Sequence, residues 1–329
     1  MVDKSWSRPA RTIFVLGGGG SLGAYQVGAL VGLTSAGHIP DALFGCSAGA
    51  LNAAFMAGDP TLQRAQDLVG WWSDRSTHSV LSPSRLARVL GLARAATGAQ
   101  QSLIDPRPLR RLITQRLEAH DLAELAVPLT VTTTCLDCGE AVHHDRGSLI
   151  DVLLASCALP GLMPAVRLSD GHRHVDGGVV CGVPLGAAIA SAGPDDTIFV
   201  LDCALAPVTG RVGRCAALGA AQDAGGCQLP ADTPRSYIAP AEGYRGALEL
   251  MLSSFAVARS VASRASVVPY LDDRRVRVVP HVADAWSAGL IDELPRGPRD
   301  CSLSASLVDA GKAATEAWLA IPMESTIRP

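Results

Sequence analysis

Apolar residues in this chain fall into short unbroken runs separated by longer stretches with helical spacing. Thr12–Leu16 (TIFVL) is closed by four glycines and predicts a strand buried on both faces. Residues 22–36 follow with a helix-like pattern. Residues 42–44 lead into Gly45-Cys46-Ser47-Ala48-Gly49 and a second helical stretch, residues 50–57. Two apolar strands with one helix between them predict parallel pairing. Further strands are expected at residues 129–134, 197–201 and 276–279, each β-branched or apolar and bounded by turn residues. Residues 149–158 read as a helix stopped at Leu159-Pro160-Gly161, and Pro184 opens another over residues 185–192.

The rhythm breaks twice. Between residues 73 and 118 apolar side chains recur at helical spacing among arginines, with eight Arg against the lone Asp105 in residues 75–117. A solvated basic face on a helical segment is the preferred reading; a contact with anionic lipid at a membrane surface is the sharper one. Residues 206–234, rich in Gly, Ala and Pro, lack periodicity and predict a flexible loop. With no internal repeat, one domain over residues 10–320 with short tails, 1–9 and 321–329, is expected.

Composition narrows the classes. A chain of 329 residues, 48% hydrophobic and carrying a formal charge of −3, excludes disorder and the small stapled scaffold. Its acidic balance argues against nucleic acid as a partner. Nine scattered cysteines without an export signal predict reduced thiols and a cytoplasmic protein. Residues 12–37 carry no charge, which raises the question of a membrane span, but Gly17-Gly18-Gly19-Gly20 would break a spanning helix near its start.

Three motifs carry chemistry. Gly45-x-Ser47-x-Gly49 is a nucleophile-elbow pattern, in which small neighbours let a strand turn sharply into a helix and expose a strained serine. A chain of this composition holds about 0.3 copies by chance, so the weight comes from the strand before it and the helix after. Gly17 to Gly23 lies between the first strand and helix, where successive amides can point at a negative oxygen. The same glycines satisfy G-x-G-x-x-G as Gly18, Gly20 and Gly23, which makes a nucleotide-binding module the rival reading. That reading expects an acidic residue at the end of the second strand, and Asp41 stands before that strand instead. His174-Val175-Asp176-Gly177-Gly178 puts an aspartate at a strand end before a tight turn; taken alone Asp176 reads as a turn-forming residue, and beside Ser47 it is the candidate base, whereas His281, the only late histidine, has no distinctive setting.

Together these residues resemble the patatin-like phospholipases. The glycine loop, Gly45 to Gly49 followed by Ala50-Leu51-Asn52-Ala53-Ala54, and Asp176-Gly177-Gly178 come in that order, and residues 155–160 and 306–311 also resemble bacterial members. The resemblance implies an α/β three-layer fold with a mostly parallel central sheet and a helical cap. It implies a Ser-Asp dyad of Ser47 and Asp176, an oxyanion hole of the Gly18, Gly19 and Gly20 amides, and hydrolysis of fatty acyl esters of lipids without metal or organic cofactor. A noncatalytic lipid-binding module is the other alternative. Two positions depart from the pattern. Leu22 stands where many members have Arg or Lys, which removes a basic group from the loop. Gly182 stands where Asn is frequent, which loosens the turn and leaves the dyad intact.

Two further clusters have ordinary readings. Cys135-x-x-Cys138 with His143 and His144 invites zinc, but the spacing is short and free thiols beside a turn are expected. His172 and His174 share a strand face with Asp176; a structural role is expected, and tuning of the dyad is the alternative.

Overall fold

In β1 (Thr12–Leu16) successive apolar side chains enter opposite cores, Phe14 and Leu16 one, Ile13 and Val15 the other. That double burial is why the run has no polar alternation. The computed structural model describes residues 9–74, 77–78, 80, 102–203, 247–291 and 301–321. After β1 the elements run α1 (Gly23–Ser35), β2 (Ala42–Cys46), α2 (Ala48–Gly58), α3 (Leu62–Ser73), α4 (Arg107–Arg116), β3 (Leu129–Cys135), β4 (Ala141–His144), α5 (Leu149–Ser156), β5 (Val166–Arg167), β6 (Arg173–Asp176), α6 (Leu185–Ser191), β7 (Thr197–Leu201), α7 (Ala247–Val267), β8 (Val276–Val278), α8 (Val282–Ser287) and α9 (Ser304–Leu319).

The sheet has the order β5-β6-β3-β2-β1-β7-β8, with β4 also on β3. From β3 to β8 the strands along this path are parallel, while β4 and β6 run antiparallel to β3 and β5 antiparallel to β6. This is the α/β architecture with a mostly parallel central sheet. The larger core gathers side chains of α1, α2, α3, α4, α5 and α9; the smaller gathers Leu185 and Ala188 of α6 and Val267 of α7. α1, which follows β1, and the end of α7, the first described helix after β7, therefore lie on opposite faces. The glycine loop follows β1 at the carboxyl edge of the sheet.

The uncharged stretch at residues 12–37 has its cause in α1, which is buried from Gly23 to Thr34. On one side it meets the core around the sheet, and on another it meets α9 at backbone distance. A Cβ on Gly28 would lie 1.9 Å from the Val308 carbonyl oxygen, and one on Gly311 would lie 2.1 Å from that of Tyr25. A helix with no solvent face has no place for charge. No helix among the described residues is long and apolar enough to cross a membrane.

Sequence patterning located β1, α1, β2, α2, β3, α5, α6, β7 and β8 to within a few residues. It did not predict α3, α7 or α9. Of the basic segment at 73–118, residues 81–100 lie outside the described residues, as do 206–234. In the described part, Leu109, Leu112 and Ile113 of α4 enter the larger core. Three of its four arginines are paired, Arg107 with Asp105, Arg110 with Asp151 and Arg116 with Asp74. Much of the positive charge on α4 is thus neutralised locally, which weakens the electrostatic case for a lipid surface there.

The α1–α9 crossing predicts opposite effects for two glycines. Gly28→Ala should lower unfolding free energy by about 1–3 kcal/mol through overpacking. Gly70→Ala, at an exposed position of α3 with nothing within 4 Å of its new methyl, should raise it by up to about 1 kcal/mol. Urea unfolding of the two variants checks both signs.

Candidate active site

The site is assembled by one strand edge. β3 pairs β2 from Leu43↔Leu129 to Cys46↔Thr132, and pairs β6 from Thr133↔Asp176 to Cys135↔His174. β4 pairs residues 131–134 of β3 and so overlaps both partners. Since a strand has two edges, β2 and β6 share the other one end to end. The last residue of β2 and the last of β6 therefore face adjacent residues of β3, Thr132 and Thr133. Ser47 is the next residue after β2, and its Oγ donates a 2.7 Å hydrogen bond to Asp176 Oδ2.

Ser47 holds φ 54° and ψ −125°, the only positive φ on a non-glycine residue among those described. Such a conformation costs about 1–3 kcal/mol and persists only where its surroundings impose it. Here Ser47 N–H donates to Ser156 Oγ at 2.8 Å, and that hydroxyl donates to the Thr132 carbonyl at 2.7 Å. Gly49 allows the close turn that follows, since a Cβ there would lie 2.3 Å from the Leu16 carbonyl oxygen. The N-terminal end of α2, with its positive dipole, then starts beside the serine.

Asp176 is 1% exposed and Ser47 6%. Burial raises the Asp176 pKa above the ordinary carboxylate value, opposed by hydrogen bonds from Ser47 and the Gly178 amide and by the charge of Arg259. The Gly178 bond, 2.8 Å to Oδ1, orients the carboxylate from its other side. Cys46, next to the serine, is kept a neutral thiol by burial and by the Asp176 charge.

The glycine loop is fastened from below. Gln26 donates from Nε2 to the Leu201 carbonyl at 2.8 Å and to that of Gly17 at 3.2 Å. Asn52 donates to Gln26 Oε1 and to the Gly23 carbonyl, and accepts from Trp72 Nε1. This buried chain joins α1, α2 and α3 to the loop. The Gly18 amide, expected in the oxyanion hole with Gly19 and Gly20, donates to the Gly182 carbonyl at 2.9 Å. The Gly19 and Gly20 amides make no hydrogen bond to the described residues. They are the loop's available donors.

Sequence reasoning missed Arg259 of α7, which is 7% exposed. A Cβ on Gly178 would lie 2.8 Å from its Cδ, and one on Gly182 would lie 3.5 Å from its Cγ and 2.5 Å from Ser263 Oγ. The missing side chain at Gly182 makes room for α7, beyond any loosening of the turn. The one available signal was that Arg259 is the only charged residue in positions 250–263. Leu22 has entered the larger core instead. Ser156 lies in the stretch 155–160 that carried part of the family resemblance, with no role attached to it, and Gln26 carried no motif-level signal.

No described histidine hydrogen-bonds Ser47 or Asp176. His174 is bonded to Thr133 Oγ1 and Asp170, and His172 lies against Asp137. His281 lies at the start of α8, its Nδ1 accepting from the Ala283 amide. His143 and His144 bond Thr132 and Thr133, away from any cysteine-histidine tetrahedron. Cys135, Asp137 and His172 do bring donor atoms within 4.8 Å of one another. Asp137, however, is already held by the Arg173 backbone and guanidinium. Cys46, Cys135, Cys138, Cys181 and Cys203 are free thiols. Asp41 accepts from the Thr12 amide at the amino end of β1, so it offers no ribose-binding carboxylate beyond β2.

Comparison with known proteins adds the following. The Patatin-like phospholipase family profile matches residues 14–189, just over half of the chain. A mouse patatin-like phospholipase domain-containing protein 7 is 29% identical over 175 residues, covering 53% of this chain and 12% of that protein. An uncharacterized NTE family protein of Mycobacterium tuberculosis is 27% identical over 197 residues, covering 59% of this chain and 49% of the other. The chain thus spans less than half the length of either relative. The crystal structure of VipD from Legionella pneumophila overlaps with a TM-score of 0.39 at 17% identity, covering 59% of this chain and 50% of that one.

Ser156→Ala leaves the buried Ser47 amide without its acceptor and should cost about 1–3 kcal/mol of stability. Chemical denaturation measures this directly; unchanged stability would show that the hydroxyl does not hold the turn.

Proposed function

The chain belongs to the patatin-like phospholipase family, and on that premise we propose that it hydrolyses fatty acyl esters of (lyso)phospholipids or related lipids through a Ser47–Asp176 dyad. The observation that carries this reading is the 2.7 Å hydrogen bond between a serine in a strained turn and a buried carboxylate. Asp176 accepts the Ser47 proton as Oγ attacks the ester carbonyl. The Gly19 and Gly20 amides face the oxygen that becomes negative. Collapse expels the alcohol, which takes the proton from Asp176, and water repeats the cycle on the acyl-enzyme. Burial strengthens Asp176 as a base, because a carboxylate with a raised pKa holds a proton better than an exposed one. The neutral Cys46 thiol leaves Ser47 as the nucleophile. A bland solvated role for the described arginines of α4 fits their ion pairs, so lipid is proposed as substrate at the dyad and not as a ligand of that helix.

Ser47→Ala should fold and lose both p-nitrophenyl ester hydrolysis and labelling by a fluorophosphonate; turnover retained by the purified variant would refute the dyad. The raised Asp176 pKa places the acid limb of kcat/KM above the ordinary aspartate value of about 4, since the base form is lost as pH falls through the folded-state pKa. The same shift means that ionised Asp176 weighs against folding at neutral pH: the stability linked to this group is present below the unfolded pKa and lost as pH rises through the folded one. Asp176→Asn should therefore be inactive and melt no lower than wild type at pH 7. Calorimetry beside an esterase assay reads both.

A further inference from the structure

Ester cleavage by Ser47 moves one negative charge. Attack forms the Oγ–carbon bond, sends the carbonyl π pair to oxygen and the serine proton to Asp176. Collapse restores the carbonyl, breaks the bond to the leaving alcohol and returns the proton to that alcohol. At the tetrahedral stage the charge has left Asp176 and sits on the substrate oxygen. With the Gly18 amide occupied by Gly182, the loop offers fewer donors to that oxygen than its sequence promised.

Arg259 stands where this shortfall falls. Its aliphatic stem crosses the glycine faces of residues 178 and 182, and its Nη1 lies 3.5 Å from a Cβ built on Gly18. The same Cβ position lies 3.1 Å from Ser47 Cβ. The stem is therefore beside the turn that orients Asp176, and the charged tip is beside the loop at the nucleophile. No carboxylate among the described residues ion-pairs with the guanidinium within 4 Å. A cation that deep is costly unless a counter-charge meets it, and the buried carboxylates in its surroundings are Asp176 and, across their shared neighbour Cys203, Asp202. The groups facing Asp176 are Ser47, the Gly178 amide, the neutral Cys46 thiol and Arg259. As the charge passes from Asp176 to the oxyanion it moves from the stem side of Arg259 towards its tip, so the attraction grows in the transition state, the condition for catalysis.

We propose that Arg259, reaching in from α7 across Gly178 and Gly182, supplies the positive charge of the oxyanion site. The proposal rests on the acyl-hydrolase reading and assigns a residue that the glycine-loop motif does not contain. Arg259 acts on the reacting oxygen directly, with the Gly19 and Gly20 amides as its partners.

The test compares the 329-residue wild type, Arg259→Gln and Arg259→Lys on a neutral p-nitrophenyl acyl ester across pH, with thermal unfolding on each preparation. Arg259→Gln should fold and lose about 100-fold in kcat, with KM changed less than about threefold. The loss should persist on the alkaline plateau, while Arg259→Lys stays within about tenfold of wild type because it retains the charge. A folded Arg259→Gln enzyme with nearly wild-type kcat overturns the proposal. So does a deficit that vanishes at high pH, which would confine Arg259 to keeping Asp176 ionised. If Arg259→Gln does not fold, Arg259→Lys decides: near-wild-type kcat supports the charge, and a folded but inactive lysine variant overturns it. Wild type that neither hydrolyses esters nor labels with fluorophosphonate removes the acyl-hydrolase reading itself, and Arg259's role with it. That result is distinct from an active wild type with an indifferent Arg259.

Discussion

The end-to-end sharing of one edge of β3 is the constraint on which the site depends. β2 occupies that edge up to Thr132 and β6 takes it over at Thr133, so two chain segments running in opposite directions terminate against each other. A serine just past one end and an aspartate at the other are brought to hydrogen-bond distance without any loop having to find its partner. Strand register is strongly specified where both faces are buried, because a one-residue slip reverses every side chain. The precision of the dyad is thus inherited from the packing of the sheet.

What the site holds is costly by itself: a serine at positive φ, a carboxylate out of water and a buried arginine. The first two are each met by a specific neighbour. Ser156 fixes the serine amide, Gly178 fixes the carboxylate, and the Gln26–Asn52–Trp72 chain holds the glycine loop against α1 and α2. These partners come from elements on both sides of the dyad. The strain is supported by the fold as a whole, a common arrangement where geometry serves chemistry.

The surroundings of the dyad follow from where helices can go. α1 leaves β1 for the larger core and is buried so completely that it carries no charge, while α6 and the end of α7 pack on the other face. The two flanks of the dyad are consequently unlike. One is a loop of glycines that offers backbone amides, and the other is a helix that can send a long side chain across. Substitution of a bulkier residue at Gly178 or Gly182 would close that path, which links the small residues of the turn to the position of Arg259.

Much of this was legible in the linear pattern. Strands buried on both faces announce themselves as unbroken apolar runs, and the glycine clusters at 17–23, 45–49 and 177–178 mark places where the backbone must turn or be approached, so the parallel strands and the helices between them could be read from local signals, while Ser47 and Asp176 became candidates only when the family resemblance joined the three motifs. Hydrogen-bond partners separated by a hundred residues leave no such trace. The fate of the Gly18 amide, the grip of Ser156 on Ser47 and the arrival of Arg259 depend on which atoms meet when helices pack, and a single Ser, Gly or Arg has the same local character whether it meets solvent or the surroundings of Ser47. The amino-acid order determined which groups could react; three-dimensional packing decided which of them share a desolvated space, because contact and burial are properties of the folded chain alone.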